Sequence, residues 1–295
     1  MGQSAAVIGY LLVLAATVIW SGNFIVARGL SDSIPPVTLA FLRSATAVIV
    51  LLPFGIRPFC RDIKLVWKHL GYLALTAFFG LTLSTTLVYI CAHTSKALNL
   101  SLIAICSPVF IVIFARLFLH DTFTLQRIAG LLTATVGAAL LITDGEPHRL
   151  RTLSFSAGDV WMFVQSATFA MYCILARIKP AEITSGVFLS SMFVFGLLFL
   201  VPWLCWELRG VESINFSPVV LGGIAYLGIG SSVLAYLCWN RAITIIGPVR
   251  CGFVYYTLPL FSGVEAFLLL NEPIRWVHAV SGVLILVGVI VATRE

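Results

Sequence analysis

The chain has 295 residues, of which 60% are hydrophobic and 10% charged, with a formal net charge of +6. Soluble domains carry about 45–50% apolar and about 25% charged residues, so water cannot be the solvent for most of this surface and the chain reads as an integral membrane protein. The basic residues are scattered over short loops, which excludes a nucleic-acid face and makes the charge a matter of membrane topology.

A spanning helix needs about 20 apolar residues, and ten segments qualify: 6–29, 36–55, 69–92, 98–119, 124–143, 156–177, 184–206, 217–241, 248–270 and 274–293. The first carries Trp20 and Asn23 within its apolar run, and it starts without a basic stretch, so no cleavable signal peptide is expected. The second carries Arg43, and the basic 57–68 loop follows it. The third offers Phe79, Thr82, Thr86 and Tyr89; the fourth offers Ser101, Ser107 and Pro108; the fifth has the small residues Gly130, Ala134 and Gly137. In the sixth, Trp161, Gln165, Thr168 and Tyr172 recur at helical spacing on one face. The seventh has few polar groups, and the eighth has Ser232, Tyr236, Trp239 and Asn240. The ninth holds Tyr255, Tyr256, Pro259 and Glu265, and the tenth holds Ser281, Gly282 and Gly288. Unpaired backbone groups are costly in hydrocarbon, and runs this long do not suit barrel strands, so the predicted class is all-α.

Ten spans put both termini on one side. That side carries eleven Lys and Arg against seven on the other, mainly through the 57–68 loop, which predicts cytoplasmic termini. The seven cysteines form no C-x-x-C pair and fall mostly within spans, so they read as small apolar residues rather than as disulfide or metal sites.

The second half repeats the first. Aligning Pro108 with Pro259 pairs Phe110 with Phe261, Ala115 with Ala266, Leu117 with Leu268, Asp121 with Glu272 and Val136-Gly137 with Val287-Gly288, without a gap. The predicted units are 1–147 and 148–295. Each holds five spans, an odd number, so the two are expected to be inverted, the architecture of secondary transporters. Pro108 and Pro259 fall within corresponding spans. A mid-helix proline removes a backbone hydrogen bond and bends the axis, and matched breaks point to a midplane site with hinges there. Interior polar residues are expensive against lipid, and they recur in spans 1, 3, 4, 6, 8 and 9, which are therefore predicted to line an interior, with 2, 5, 7 and 10 outside. Each such residue could equally make a structural hydrogen bond between helices.

Glu265 is the only carboxylate well inside a predicted span, and Arg43 sits at a similar depth on the second. Either the two form an ion pair or Glu265 takes up a proton during transport. His93 and Lys96 are expected at a solvated turn, and Asp121 and Glu272 are expected to cap the helices that follow them.

With ten spans, two five-helix copies and an acidic residue thirteen positions after each proline, the chain resembles the drug/metabolite transporter superfamily, in its two-repeat EamA-type branch. The motifs are Tyr89 to Ala97, SPVFIVIFARLFLHD (107–121), LPLFSGVEAFLLLNEP (258–273) and VHAVSGVLILVG (277–288). The likeness covers essentially the whole chain and is greatest to YddG-type exporters of aromatic amino acids in the bacterial inner membrane. It implies a basket of helices around a cavity lined by spans 1, 3, 4, 6, 8 and 9, and it implies export.

The expected function is alternating-access transport of a small amino acid or related metabolite, aromatic or apolar side chains favoured, with no cofactor and by a monomer whose other contacts are lipid. The expected substrate-binding residues are Trp20, Asn23, Phe79, Thr82, Tyr89, Ser101, Trp161, Gln165, Tyr172, Tyr236, Trp239, Asn240 and Tyr255. A broad-specificity metabolite or drug carrier, or a polar channel, is the alternative. An intramembrane enzyme is excluded for want of H-E-x-x-H or a second deep carboxylate, and an ATP-driven pump for want of a phosphate loop.

Overall fold

A computed structural model of the chain describes residues 3–94, 103–104, 106–122, 124–143, 145–146, 157–211, 214, 216–270 and 276–293. Eight helices among these are long and apolar enough to cross a membrane: Ser4–Leu30, Pro36–Phe54, Leu70–His93, Leu125–Ile142, Val160–Arg177, Ser185–Gly210, Pro218–Ile246 and Trp276–Thr293. They correspond to predicted spans 1, 2, 3, 5, 6, 7, 8 and 10. The fourth span is described as a 14-residue helix, Cys106–Leu119, and the ninth is two helices, Pro248–Tyr255 and Leu258–Leu270. No strand occurs among the described residues.

Local chemistry sets several helix ends. Pro36, Pro218 and Pro248 open their helices, where a missing N–H leaves nothing unsatisfied. Ser217 and Thr184 accept from Val220 N and Val187 N, each at 3.3 Å, and cap the eighth and seventh spans. Glu207, at the end of the seventh span, accepts from Val37 N (2.9 Å) and Thr38 N (2.7 Å) and so caps the second span. Gly247 adopts φ 83° between the eighth and ninth spans, a left-handed conformation that permits a one-residue turn. Asp121 does not cap the fifth span as expected: Thr124 does, accepting from Arg127 N at 3.2 Å, while Asp121 pairs with the Arg127 side chain at 3.0 Å. The counterpart Glu272 lies outside the described residues.

Pro259 acts differently from the mid-helix bend expected of it. Pro259 stands in the first turn of Leu258–Leu270, after a break at Tyr256-Thr257 where Thr257 N bonds back only to Val254 O at 2.9 Å. A proline is tolerated there because its missing N–H belongs to the unpaired first turn. In the ninth span, then, the proline starts a short helix rather than kinking a long one. Pro108 lies in the described helix Cys106–Leu119, with Ile103 and Ala104 also helical before it and residue 105 outside the described residues.

Two π-helical stretches, Phe78–Leu83 in the third span and Tyr226–Leu234 in the eighth, fall on each other in the register that pairs Pro108 with Pro259. The wider π turn offsets the carbonyl ladder, a distortion frequent at functional sites.

Helix contacts interchange when the two halves are swapped. The fifth span packs on the tenth, the second on the seventh and the fourth on the ninth; the first meets the eighth and ninth as the sixth meets the third and fourth. Glycine makes the fifth–tenth contact possible, since a Cβ on Gly288 would lie 2.5 Å from Ala134 N and one on Gly130 would lie 2.6 Å from Gly288 O. Exposed Val7, Ile8, Leu11, Leu117, Leu132 and Val136 give the outer surface its apolar character.

Candidate functional site

A small cavity of about 40 Å³ lies where the first, second, third, sixth, eighth and ninth spans converge. Its lining is Trp20, Asn23, Arg43, Ser84, Thr85, Val88, Gln165, Phe169, Ser231, Tyr236 and Tyr255. Small-molecule sites usually hold about 300–1,000 Å³, so the cavity is only on the scale of a few waters. Its aromatic wall accounts for this. Trp20 meets Phe169, Tyr236 and Tyr255 edge-on at centroid distances of 5.6, 5.4 and 6.1 Å, and lies 5.1 Å from Trp239.

The two π segments hold this wall in place through their carbonyls. Tyr236 OH donates to Gly80 O at 2.7 Å and Trp20 Nε1 to Ser231 O at 3.0 Å, so each π segment receives an aromatic donor from the other half of the chain. At Gly80 a Cβ would fall 2.5 Å from the Tyr172 ring, so only glycine lets that ring lie against the backbone.

Arg43 is 4% exposed and borders the cavity, which corrects the placing of the second span wholly in the outer wall. Its Nε donates to Ser232 Oγ at 2.8 Å, and its Nη1 donates to Tyr89 OH at 2.8 Å and Asn23 Oδ1 at 3.5 Å. The guanidinium carbon stands 5.8 Å from the Tyr89 ring centre. The expected Arg43–Glu265 ion pair does not form; among the described residues no carboxylate lies within 4.0 Å of Arg43. Glu265 instead accepts from Ser21 Oγ at 2.6 Å, and its Oε2 is buried without a partner. Each group bonds to polar side chains on nearer helices instead, which equal depth along two spans could not reveal.

The other predicted residues divide by position. Asn23, Tyr89 and Gln165 join the Arg43 side of the cavity, with Gln165 Nε2 donating to Ser84 Oγ at 3.1 Å and Ser231 Oγ to Asn23 Oδ1 at 3.1 Å. Tyr172, fully buried, donates to Asn240 Oδ1 at 2.6 Å behind the aromatic wall. Trp239 Nε1, Asn240 Nδ2 and Thr82 Oγ1 are buried without hydrogen-bond partners, and Phe79 packs on Phe78 at 5.9 Å. Trp161 is 47% exposed and does not border the cavity, because its position on the sixth span turns it outward. Ser101 lies outside the described residues.

A second recess, about 570 Å³, opens among the ends of the fourth, fifth, sixth, eighth and ninth spans and includes Asp121, Arg127, Arg177 and Arg250. Near the same end of the bundle, Glu182 joins the loop between the sixth and seventh spans to the start of the third. It accepts from Lys68 Nζ at 2.9 and 3.2 Å and contacts His69 Nε2. Lys68 and then His69 hold its carboxyl below the usual range.

The EamA-like transporter family model matches residues 7–143 and again 156–294. The chain belongs to that family. It is therefore a multi-pass membrane transporter and not an enzyme. Among its relatives are an uncharacterized transporter of Archaeoglobus fulgidus, 27% identical with 97% of each chain covered, and the Bacillus subtilis uncharacterized transporter YyaM, 26% identical over 96% of this chain and 93% of that one. A probable terminal-alkyne amino-acid exporter of Streptantibioticus cattleyicolor is 27% identical over 97% of this chain and 93% of its own. One solved crystal structure matches with TM-score 0.76 at 19% identity, covering 99% of this chain and 97% of that chain, a likeness of fold alone.

Within this member of the family, sequence reasoning missed Phe169, Ser84, Thr85 and Ser231 as cavity residues. Short hydroxyl residues are common in membrane helices as local hydrogen-bonders, so they gave no distinguishing signal. Arg43 did give one, as a cation inside an apolar span, but it was read toward the wrong partner.

Proposed function

We propose that this protein is a secondary carrier that moves a small amino acid or related metabolite by alternating access, with 1–147 and 148–295 as inverted copies. The reading places it in the bacterial inner membrane as a monomer with cytoplasmic termini, exporting its substrate. The observation that carries it is the small polar cavity, walled by aromatic side chains, at the junction of two halves whose helix contacts interchange. Inverted copies can exchange local conformations and so open one site to either side in turn. The segments around Pro108 and Pro259 are the proposed moving elements. The S. cattleyicolor relative's description supports an amino-acid substrate and export.

In this mechanism a zwitterion enters as Trp20 and Tyr255 move apart, and its side chain takes the place of their mutual ring contacts. Trp239 and Tyr236 form the far side of the same aromatic layer. Glu265, with no cationic partner, is the proposed point of proton exchange, and an E265Q protein that still responds fully to an imposed proton gradient overturns that part. The decisive experiment is counterflow in proteoliposomes against a panel of labelled amino acids. Saturable counterflow that Trp20→Ala and Tyr236→Ala diminish is expected. Non-saturable flux without counterflow would make the protein a channel, and equal exchange of structurally unrelated drugs would make it a broad-specificity carrier.

A further inference from the structure

We propose that Arg43 is the receptor for a carboxylate on the transported molecule, so that the carboxyl group, rather than the ammonium group, decides what this cavity accepts. The inference deepens the carrier reading and rests on it.

The starting point is a buried cation without an anion. A guanidinium is not neutralised in proteins, and taking it out of water costs several kcal/mol unless a counter-charge or a full set of hydrogen bonds replaces the solvent. Of its five N–H groups, Nε and Nη1 use three, on Ser232, Tyr89 and Asn23. Nη2 has no partner among the described residues and is not among the fully enclosed unpaired atoms, which leaves its two N–H groups to the cavity that Arg43 lines. None of the residues lining that cavity is acidic.

A purely structural role would suit an arginine whose donors were all spent on the protein, and this one keeps a pair aimed at the void. The second half of the chain supplies a control. In the register that pairs Pro108 with Pro259, Arg43 falls opposite Val194, so the repeated helix does not itself require a cation. The three bonds that Arg43 does make fix its planar fork, which lowers the cost of binding a second planar group.

The chemistry of the surroundings selects among anions. Among the described residues the cavity offers one guanidinium and no other cation, which matches a monoanion; a phosphate dianion calls for several basic groups. Gln165 supplies the complementary end. Its Nε2 is committed to Ser84, while its Oε1 has no partner and is not enclosed, leaving an acceptor on the same cavity for an ammonium. A neutral acceptor binds an ammonium more weakly than a guanidinium binds a carboxylate, since only the latter contact joins two full charges. The aromatic wall at Trp20 and Tyr255 then faces the apolar side chain.

The test separates the two ends of the ligand. Proteoliposomes holding the full-length protein are assayed for counterflow of labelled L-phenylalanine and of labelled L-leucine. The competitors are the matching acids that lack the amine (3-phenylpropionate, 4-methylpentanoate) and the matching amines that lack the carboxylate (phenethylamine, isoamylamine). The acids should compete, and the amines should need at least about tenfold more to reach the same inhibition. R43Q should raise the half-saturating amino-acid concentration about 10- to 100-fold, as expected for losing one hydrogen-bonded charge contact, and R43K should fall between. Amines that compete as well as the acids, or an R43Q protein with unchanged half-saturation, overturn the proposal while leaving the carrier intact. Absence of counterflow for both amino acids overturns the carrier reading and this inference with it. If R43Q and R43K fail to fold, the competition series on the unaltered protein decides the matter alone.

Discussion

Replacing Gly288 by alanine tests whether the fifth and tenth spans form a rigid wall behind the moving parts. The added methyl carbon would sit 2.5 Å from Ala134 N, 2.7 Å from Gly130 O and 2.8 Å from Ala134 Cβ. Two of these three neighbours are backbone atoms, so no rotamer change relieves them. Ordinary contacts between carbon atoms lie at about 3.5–4.0 Å, so the two helices must part by roughly 1 Å. A gap of about that size forfeits a quarter to a half of each dispersion contact along the interface, and overpacking of this kind costs about 1–3 kcal/mol. Gly222→Ala is the matched control, with no atom within 4 Å of its new methyl. It should gain up to about 1 kcal/mol of helix propensity. Both substitutions share that propensity gain, so the same chemical change is expected to differ by about 1–3 kcal/mol between the two sites. Gly282→Ala, whose methyl would meet Leu260 Cδ2 at an ordinary 3.6 Å, should fall between them. Reversible unfolding of the purified protein in mixed micelles by an SDS titration, followed by tryptophan fluorescence, measures all three. A G288A protein within about 0.5 kcal/mol of G222A, well inside the predicted gap, would refute the close-packed wall.

Three further outcomes are expected. In a double-mutant cycle of R43Q and E265Q the coupling energy should stay below about 0.5 kcal/mol, the limit for independent sites, whereas a buried ion pair would couple by several kcal/mol. Tyr236→Phe removes the hydrogen bond to Gly80 O, so unfolding stability should drop by about 0.5–1.5 kcal/mol; no change would show that the bond does not hold the π segment. Because Lys68 and His69 hold Glu182 below its usual value of about 4.5, its contribution to stability is present above that value and disappears as the pH falls through the lowered one. The thermal stability of E182Q should therefore lie below that of the unaltered protein at neutral pH and converge with it in acid, and a difference that grows on acidification would contradict the bridge.

The sequence by itself determined the solvent, the helical class, the repeat and the family resemblance. Each follows from composition or from residues compared at a fixed offset, such as Pro108 with Pro259, and needs no knowledge of which helices touch. It also marked the fifth and tenth spans as suited to close helix contact, through small residues such as Gly130 and Gly288. What it could not supply was the direction in which a side chain points once its helix is packed. Trp161 and Gln165 share a stripe one turn apart, yet one faces outward and the other borders the cavity. The matched π segments were equally hidden, because an extra residue in a helical turn leaves no compositional trace. Arg43 shows the division most plainly. A charge in an apolar span announces a function from sequence alone, but whether it answers Glu265 or an open cavity depends on distances between helices far apart in the chain, and those are set only by tertiary packing.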